Sequence, residues 1–191
     1  YPLELMYCTV CHNAQLSYVV PPEEMFSNYL YVSSTSENFR KHFQDAAEQY
    51  INYFKLFSGA FIVDIGSNDG IALKPYLDRG YRNVLGVEPA ENIAKIANEN
   101  RIPTLNAFFD SRTADKILRK YGEADIVTAS NVFAHTDKLK DFVNNAFYLL
   151  KYEGTLIIEV QYLIDTIKDL TFDNIYHEHV NYWSVTSLVR F

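Results

Sequence analysis

Val63-Asp64-Ile65-Gly66-Ser67-Asn68-Asp69-Gly70 is the stretch that decides the fold of this chain. An apolar run from Ala60 to Ile65 ends in two glycines four positions apart, and a helix is expected to follow. Eighteen residues beyond Gly70 stands Glu88, at the end of a second apolar run, Val84 to Val87. A doubly wound α/β domain presents a nucleoside in this way. The glycines let backbone approach the ligand, and the acidic residue accepts hydrogen bonds from ribose hydroxyls.

The loop is not a dinucleotide fingerprint. Gly66-x-x-x-Gly70 lacks the third glycine, and Asp69 would repel a pyrophosphate. A nucleoside without phosphates suits an acidic loop better, and a cationic one better still. S-adenosylmethionine, with its sulfonium, meets that description. The plain alternative is a strand-to-helix turn with no ligand.

Outward from the loop, strand and helix alternate. Strands are expected at 60–65, 83–88, 103–106, 124–129 and 154–160. Helices are expected at about 70–79, 90–100, 112–121 and 136–151, with Gly80, Gly122 and Gly154 at helix ends. The pattern predicts a parallel sheet flanked by helices, a Rossmann-like α/β fold, with ligands at the carboxyl ends of the strands. Before it, Phe39, Phe43, Ala46, Ala47, Tyr50, Ile51 and Phe54 fall at helical spacing. They predict one long amphipathic helix from Glu37 to about Phe57. The expected organisation is an N-terminal appendage (1–32), a linking helix (33–58), a cofactor domain (59–170) and a final segment (171–191).

The bulk composition narrows the partners. The chain has 191 residues, of which 48% are hydrophobic and 21% charged, as in an ordinary globular protein. A net charge of −7 argues against a nucleic-acid or anionic-membrane partner. No apolar run approaches the roughly 18–20 residues that span a bilayer. The first residues lack a secretory pattern, and two cysteines do not make a disulfide framework, so a cytoplasmic location is expected. A chain running from Tyr1 to Phe191, with its last residues opening a helix, is expected to be a piece of something longer.

Three further groups carry chemistry. Cys8-Thr9-Val10-Cys11 is half a zinc site, since a structural site needs four ligands and only His12 is near. A bare appendage and a redox pair are the other readings. His135, in Asn131-Val132-Phe133-Ala134-His135, lies just past the fourth strand, at the ligand-binding edge. There an imidazole acts as general base or hydrogen-bond donor, or is simply a loop residue. Tyr176-His177-Glu178-His179 offers a phenol, a carboxylate and two imidazoles. Abstraction of a carbon-bound proton needs such a set: a base, a group that orients it, and a donor for the oxyanion. A strand would split the four between two faces, so joint action requires an irregular loop.

Together these pieces resemble the S-adenosylmethionine-dependent C-methyltransferases of deoxysugar biosynthesis, which act at C3 of nucleotide-linked 4-keto sugars. The resemblance covers nearly the whole chain. It rests on Cys8-x-x-Cys11, Tyr29-x-Tyr31-x-Ser33-Ser34, Asp64-Ile-Gly66-Ser67-Asn68-Asp-Gly70 and Gly86-Val-Glu88-Pro89. It continues through Asn131-Val-Phe-Ala-His135, Glu159-Val160-Gln161-Tyr162 and Phe172-Asp-x-Ile-Tyr176-His-Glu178-His179, the most specific of all. It implies a class I methyltransferase fold between a zinc module, here without its first cysteine pair, and a C-terminal domain of which only the first residues are present. It also implies a cofactor site of Asp64, Gly66, Ser67, Asn68, Gly70, Glu88, Pro89 and Asn131. Glu88 would hold the ribose and Asn131 would lie near the sulfonium. His179 is implied as the base, with Tyr176 and Glu178 beside it and His135 positioning the substrate or stabilising an enolate. Tyr29, Tyr31 and Ser33 would close over the site. Cys8 and Cys11 are implied as zinc ligands, and the partner as a small molecule, a nucleotide sugar. Competing readings are a methyltransferase of an oxygen or nitrogen acceptor, and a non-catalytic binding module.

Overall fold

Each central strand is a run of residues buried on both faces, which only a sheet covered by helices on both sides accommodates. A computed structural model describes all residues 1–191. In chain order it contains β1 (Leu5–Tyr7), β2 (Ala14–Leu16), α1 (Pro22–Phe26), α2 (Glu37–Tyr53), β3 (Ile62–Ile65) and α3 (Lys74–Asp78). There follow β4 (Val84–Glu88), α4 (Glu91–Glu99), β5 (Thr104–Asn106), α5 (Ser111–Tyr121), β6 (Ala124–Ser130) and α6 (Leu139–Leu149). The chain closes with β7 (Leu150–Glu159), α7 (Leu163–Lys168), β8 (Asn181–Tyr182) and α8 (Val185–Arg190).

The five strands β5-β4-β3-β6-β7 form one sheet in that order, every neighbouring pair parallel. The order reverses between β3 and β6, and a cleft opens there at the strands' carboxyl ends. Alternate residues of β3 supply two cores. Val63 and Ile65 face α5 and α6 through Ile117, Phe142 and Leu149. Ile62 faces Leu73, Tyr76 and Ala47 of α2. The Rossmann-like α/β fold is therefore as expected.

The boundaries differ where local chemistry intervenes. α2 ends at Tyr53 because Lys55 takes a left-handed backbone (φ 50°). α3 begins only at Lys74, with Pro75 in its first turn, because residues 70–73 form turns. α6 begins at Leu139, which leaves 131–138 as a loop over the cleft. β7 begins at Leu150, and its register against β6 shifts between Ala124 and Ile126, a bulge that carries Gly154.

The appendage is not separate from the last segment. β2 pairs with β1 on one side and with β8 on the other, Ala14 opposite Tyr182 and Gln15 opposite Asn181. Trp183 is buried and stacks on Phe133, with ring centroids 5.1 Å apart. These contacts pin 176–183 onto the loop after β6. No helix is long and apolar enough to cross a membrane.

Candidate active site

A cavity of about 1350 Å³ lies at the switch point between β3 and β6. Gly66 takes φ +65°, and a Cβ there would lie 2.3 Å from Val132. Only glycine lets the loops after β3 and β6 meet this closely. The Gly66 and Ser67 amides donate to the Val87 carbonyl, so the loop folds back on β4. Asn68 is also left-handed, at φ 48°. Its amide donates to Glu88 Oε2 at 2.9 Å, and the Ala90 amide donates to Oε1 at the same distance. Glu88 is thereby fixed at the cavity wall with lone pairs to spare. Burial raises its pKa, against the lowering effect of the two amides.

Asp64 is buried and accepts a 2.6 Å hydrogen bond from the Thr128 hydroxyl. Burial lifts its pKa to about 7, with Glu88 and Glu159 adding to the rise. Asn131 sits at φ 58°, with its amide donating to the Glu159 carbonyl. Asp64, Gly66, Ser67, Asn68, Glu88, Pro89 and Asn131 all line the cavity. Gly70, expected in the cofactor site, is not among the lining residues. It faces Ile102, 2.6 Å from a built Cβ, so its role is close packing of the turn. Asp69 is buried behind the same turn.

The acceptor side is built around two imidazoles. His135 lies between Phe26 (centroids 5.5 Å apart, 4° between planes) and His179 (5.2 Å, 26°). Its Nε2 is buried without a partner, and burial drops its pKa to about 4, so the ring is neutral near pH 7. His179 Nδ1 lies 2.8 Å from the Asn174 carbonyl. A carbonyl only accepts, so Nδ1 carries the proton and Nε2 is left as the basic nitrogen. Burial lowers the His179 pKa, with Asn174 and Glu178 opposing. Tyr176 reaches Nε2 at 3.3 Å.

The four residues do lie in an irregular loop, but not all face the cavity. Tyr176 and His179 line it. Glu178 stands behind them and accepts a 2.8 Å hydrogen bond from the Tyr29 hydroxyl, which comes from the appendage side. Burial, then this carboxylate, raises the Tyr29 pKa. His177 turns away toward the Pro2 carbonyl. Tyr31 and Ser33 also line the cavity. Phe26 and Thr128 were not singled out from the sequence. Phe26 had a signal in its aromatic neighbours, whereas the contact of Thr128 spans 64 positions.

The cysteine pair does not complete a metal centre. The Cys11 amide approaches Cys8 Sγ at 3.5 Å, and both thiols are free and part-exposed. His12 is turned to the Tyr7 hydroxyl at 2.6 Å. No three His, Cys, Asp or Glu side chains come together as a metal site anywhere in the chain. Two sulfurs give one edge of a tetrahedron, so the residues present do not fit zinc alone.

A parallel sheet in this order, with a glycine turn after its first strand and an acidic residue ending the second, defines the class I methyltransferase fold. The chain belongs to the methyltransferase domain family, which matches residues 39–191. C-methyltransferase NovU of Streptomyces niveus is 32% identical over 188 residues, 98% of this chain and 44% of that protein. The chain thus spans less than half the length of this curated relative. A SAM-dependent methyltransferase from Archaeoglobus fulgidus shares the fold at TM-score 0.66 and 21% identity, over 84% of this chain and 71% of that one. Plantazolicin methyltransferase BpumL, solved with SAH, does so at 0.67 and 15%, over 83% and 64%.

Proposed function

We propose that the protein is a cytoplasmic S-adenosylmethionine-dependent C-methyltransferase acting on a nucleotide-linked 4-keto deoxysugar. One observation carries the reading: a basic His179 Nε2, beside a phenol and a neutral imidazole, faces the same cavity as the Gly66 loop and Glu88. An oxygen or nitrogen acceptor has less need of such a base.

Seven lining residues are Asp or Glu, and Lys138 is the sole lining Lys or Arg. That field favours a cationic cofactor. It also favours entry of the uncharged keto sugar while the diphosphate stays toward solvent. S-adenosylmethionine, when bound, supplies an electrophilic methyl group. Glu88 and the Gly66–Asn68 backbone hold the nucleoside, with Asp64 and Asn131 beside them. His179 Nε2 takes the C3 proton, which the neighbouring ketone acidifies. Tyr176 and His135 donate to the developing enolate oxygen. The C3 electron pair left by His179 would accept that methyl group, with S-adenosylhomocysteine as the leaving product.

The test separates proton abstraction from methyl transfer. The protein is incubated in D2O with S-adenosylhomocysteine and a nucleotide-linked 4-keto-6-deoxysugar, and C3 is followed by NMR. The expected outcome is deuterium at C3 without methylation. An acceptor that is methylated yet never exchanges at C3 would sink the enolate reading. Calorimetry with S-adenosylhomocysteine checks the cofactor side: Glu88→Ala should weaken binding about tenfold or more.

A further inference from the structure

Residues 27–32 cross the cavity mouth without regular structure. From Asn28 to Tyr31 no backbone group pairs with another backbone group. Two asparagine side chains hold the segment instead. Asn92, in the first turn of α4, accepts from the Tyr29 amide at 3.1 Å and donates to the Tyr29 carbonyl at 2.6 Å. Asn68, in the cofactor loop, accepts from the Ser33 amide at 2.9 Å and donates to the Tyr31 carbonyl at 3.0 Å. The Glu91 amide donates to the Ser27 carbonyl at 3.2 Å. α4 has no side-chain N-cap, so the segment satisfies one of its orphan amides.

Asn92 is exposed, and its side chain makes its hydrogen bonds to the Tyr29 backbone rather than to its own helix. Its two hydrogen bonds fix one residue, Tyr29, in both position and rotation about the chain. That residue alone reaches from this segment to Glu178, the neighbour of His179. We propose that Asn92 is a positioning residue for the acceptor side: by gripping the Tyr29 backbone it holds the Tyr29 hydroxyl on Glu178 and so orders the His179 loop. Asn92 touches neither cavity nor substrate. Asn68 makes the matching grip from the cofactor loop, and the segment thereby ties that loop to the acceptor loop.

The assignment of the loop to an acceptor rests on the proposed function, but the grip does not. Hydrogen exchange is therefore measured on wild type, Asn92→Ala, Tyr29→Phe and the double variant. Asn92 is exposed and helical, so alanine folds there at least as well. The amides of His179 and Asn181, bonded to the Tyr176 and Ala134 carbonyls, report the loop. Each single variant is expected to speed their exchange about tenfold, and the double variant no further. Asn92→Asp, which keeps the acceptor and loses the donor, should fall between. Affinity for S-adenosylhomocysteine should stay within about threefold of wild type in Asn92→Ala and Asn92→Asp.

Unchanged exchange at His179 and Asn181 in Asn92→Ala would overturn the proposal. So would additive effects in the double variant, or a parallel loss of cofactor affinity. Turnover of a nucleotide-linked 4-keto sugar should fall in kcat with the exchange rates. A wild type inert toward such sugars would refute the functional reading and leave the exchange result to decide the grip.

Discussion

His135 and His179 lie ring on ring, 5.2 Å apart, and two cations cannot share that spacing cheaply. Burial lowers both pKa values, and the neighbouring His179 adds to the drop in His135, which reaches about 4. A base must be neutral to act, so turnover should fall as pH drops through the His179 pKa, below the ordinary value of 6.5. A pH profile of kcat/KM checks this. His179→Asn should lower turnover by about 10²–10⁴-fold while leaving S-adenosylhomocysteine affinity nearly intact. Asp64 behaves in the opposite sense. Its folded pKa of about 7 stands above the ordinary carboxyl value of 3.8, so the folded state holds that proton more tightly. Its contribution to stability is full below pH 3.8 and is lost as pH rises toward 7. Asp64→Asn, which can still accept from Thr128, should remove that loss. Its Tm should fall less than that of wild type between pH 4 and 7 in thermal melts.

The elements show which features local sequence encodes. β3, β4 and β6 are buried runs bounded by turns, and α5 follows the N-cap Asp110, whose side chain accepts from the Thr113 amide. Such features declare themselves within a few residues, and so did the glycine turn and the Tyr-His-Glu-His run. The pairing of β2 with β8 was not legible, because two short strands about 168 positions apart carry no local signal. Nor was the grip of Asn92 on Tyr29, which no periodicity announces. Gly70 was legible as a glycine a turn requires but not as one facing Ile102, because a sequence does not say which side of a turn is packed. Gly66 joins the local and the distant, since its loop meets Val132 after β6. Gly66→Ala adds a clash to a left-handed backbone that costs an L-residue roughly 1–2 kcal/mol. It should lower Tm and abolish S-adenosylhomocysteine binding. Val132→Ala in the same chain should recover part of the Tm, because it removes the clash and leaves the backbone strain.

At the scale of the molecule, three bodies converge on one buried side chain. Asn181 Oδ1 accepts from Asn13 Nδ2 of the appendage at 3.0 Å. Its Nδ2 donates to the Thr136 carbonyl at 2.8 Å, and its own amide donates to the Ala134 carbonyl at 3.0 Å. Appendage, His135 loop and His179 loop are therefore joined within two residues of His179. Asn181→Leu strands the buried Asn13 amide and the Thr136 carbonyl. Each buried group left unpaired costs about 1–3 kcal/mol. The loss should appear as a lower denaturation midpoint. The cofactor cradle of Gly66, Asn68 and Glu88 hangs on β3 and β4, which Asn181 does not touch. S-adenosylhomocysteine affinity should then change little where the variant remains folded, while turnover falls. If affinity fell as far as turnover, the appendage would be supporting the whole domain rather than the acceptor side.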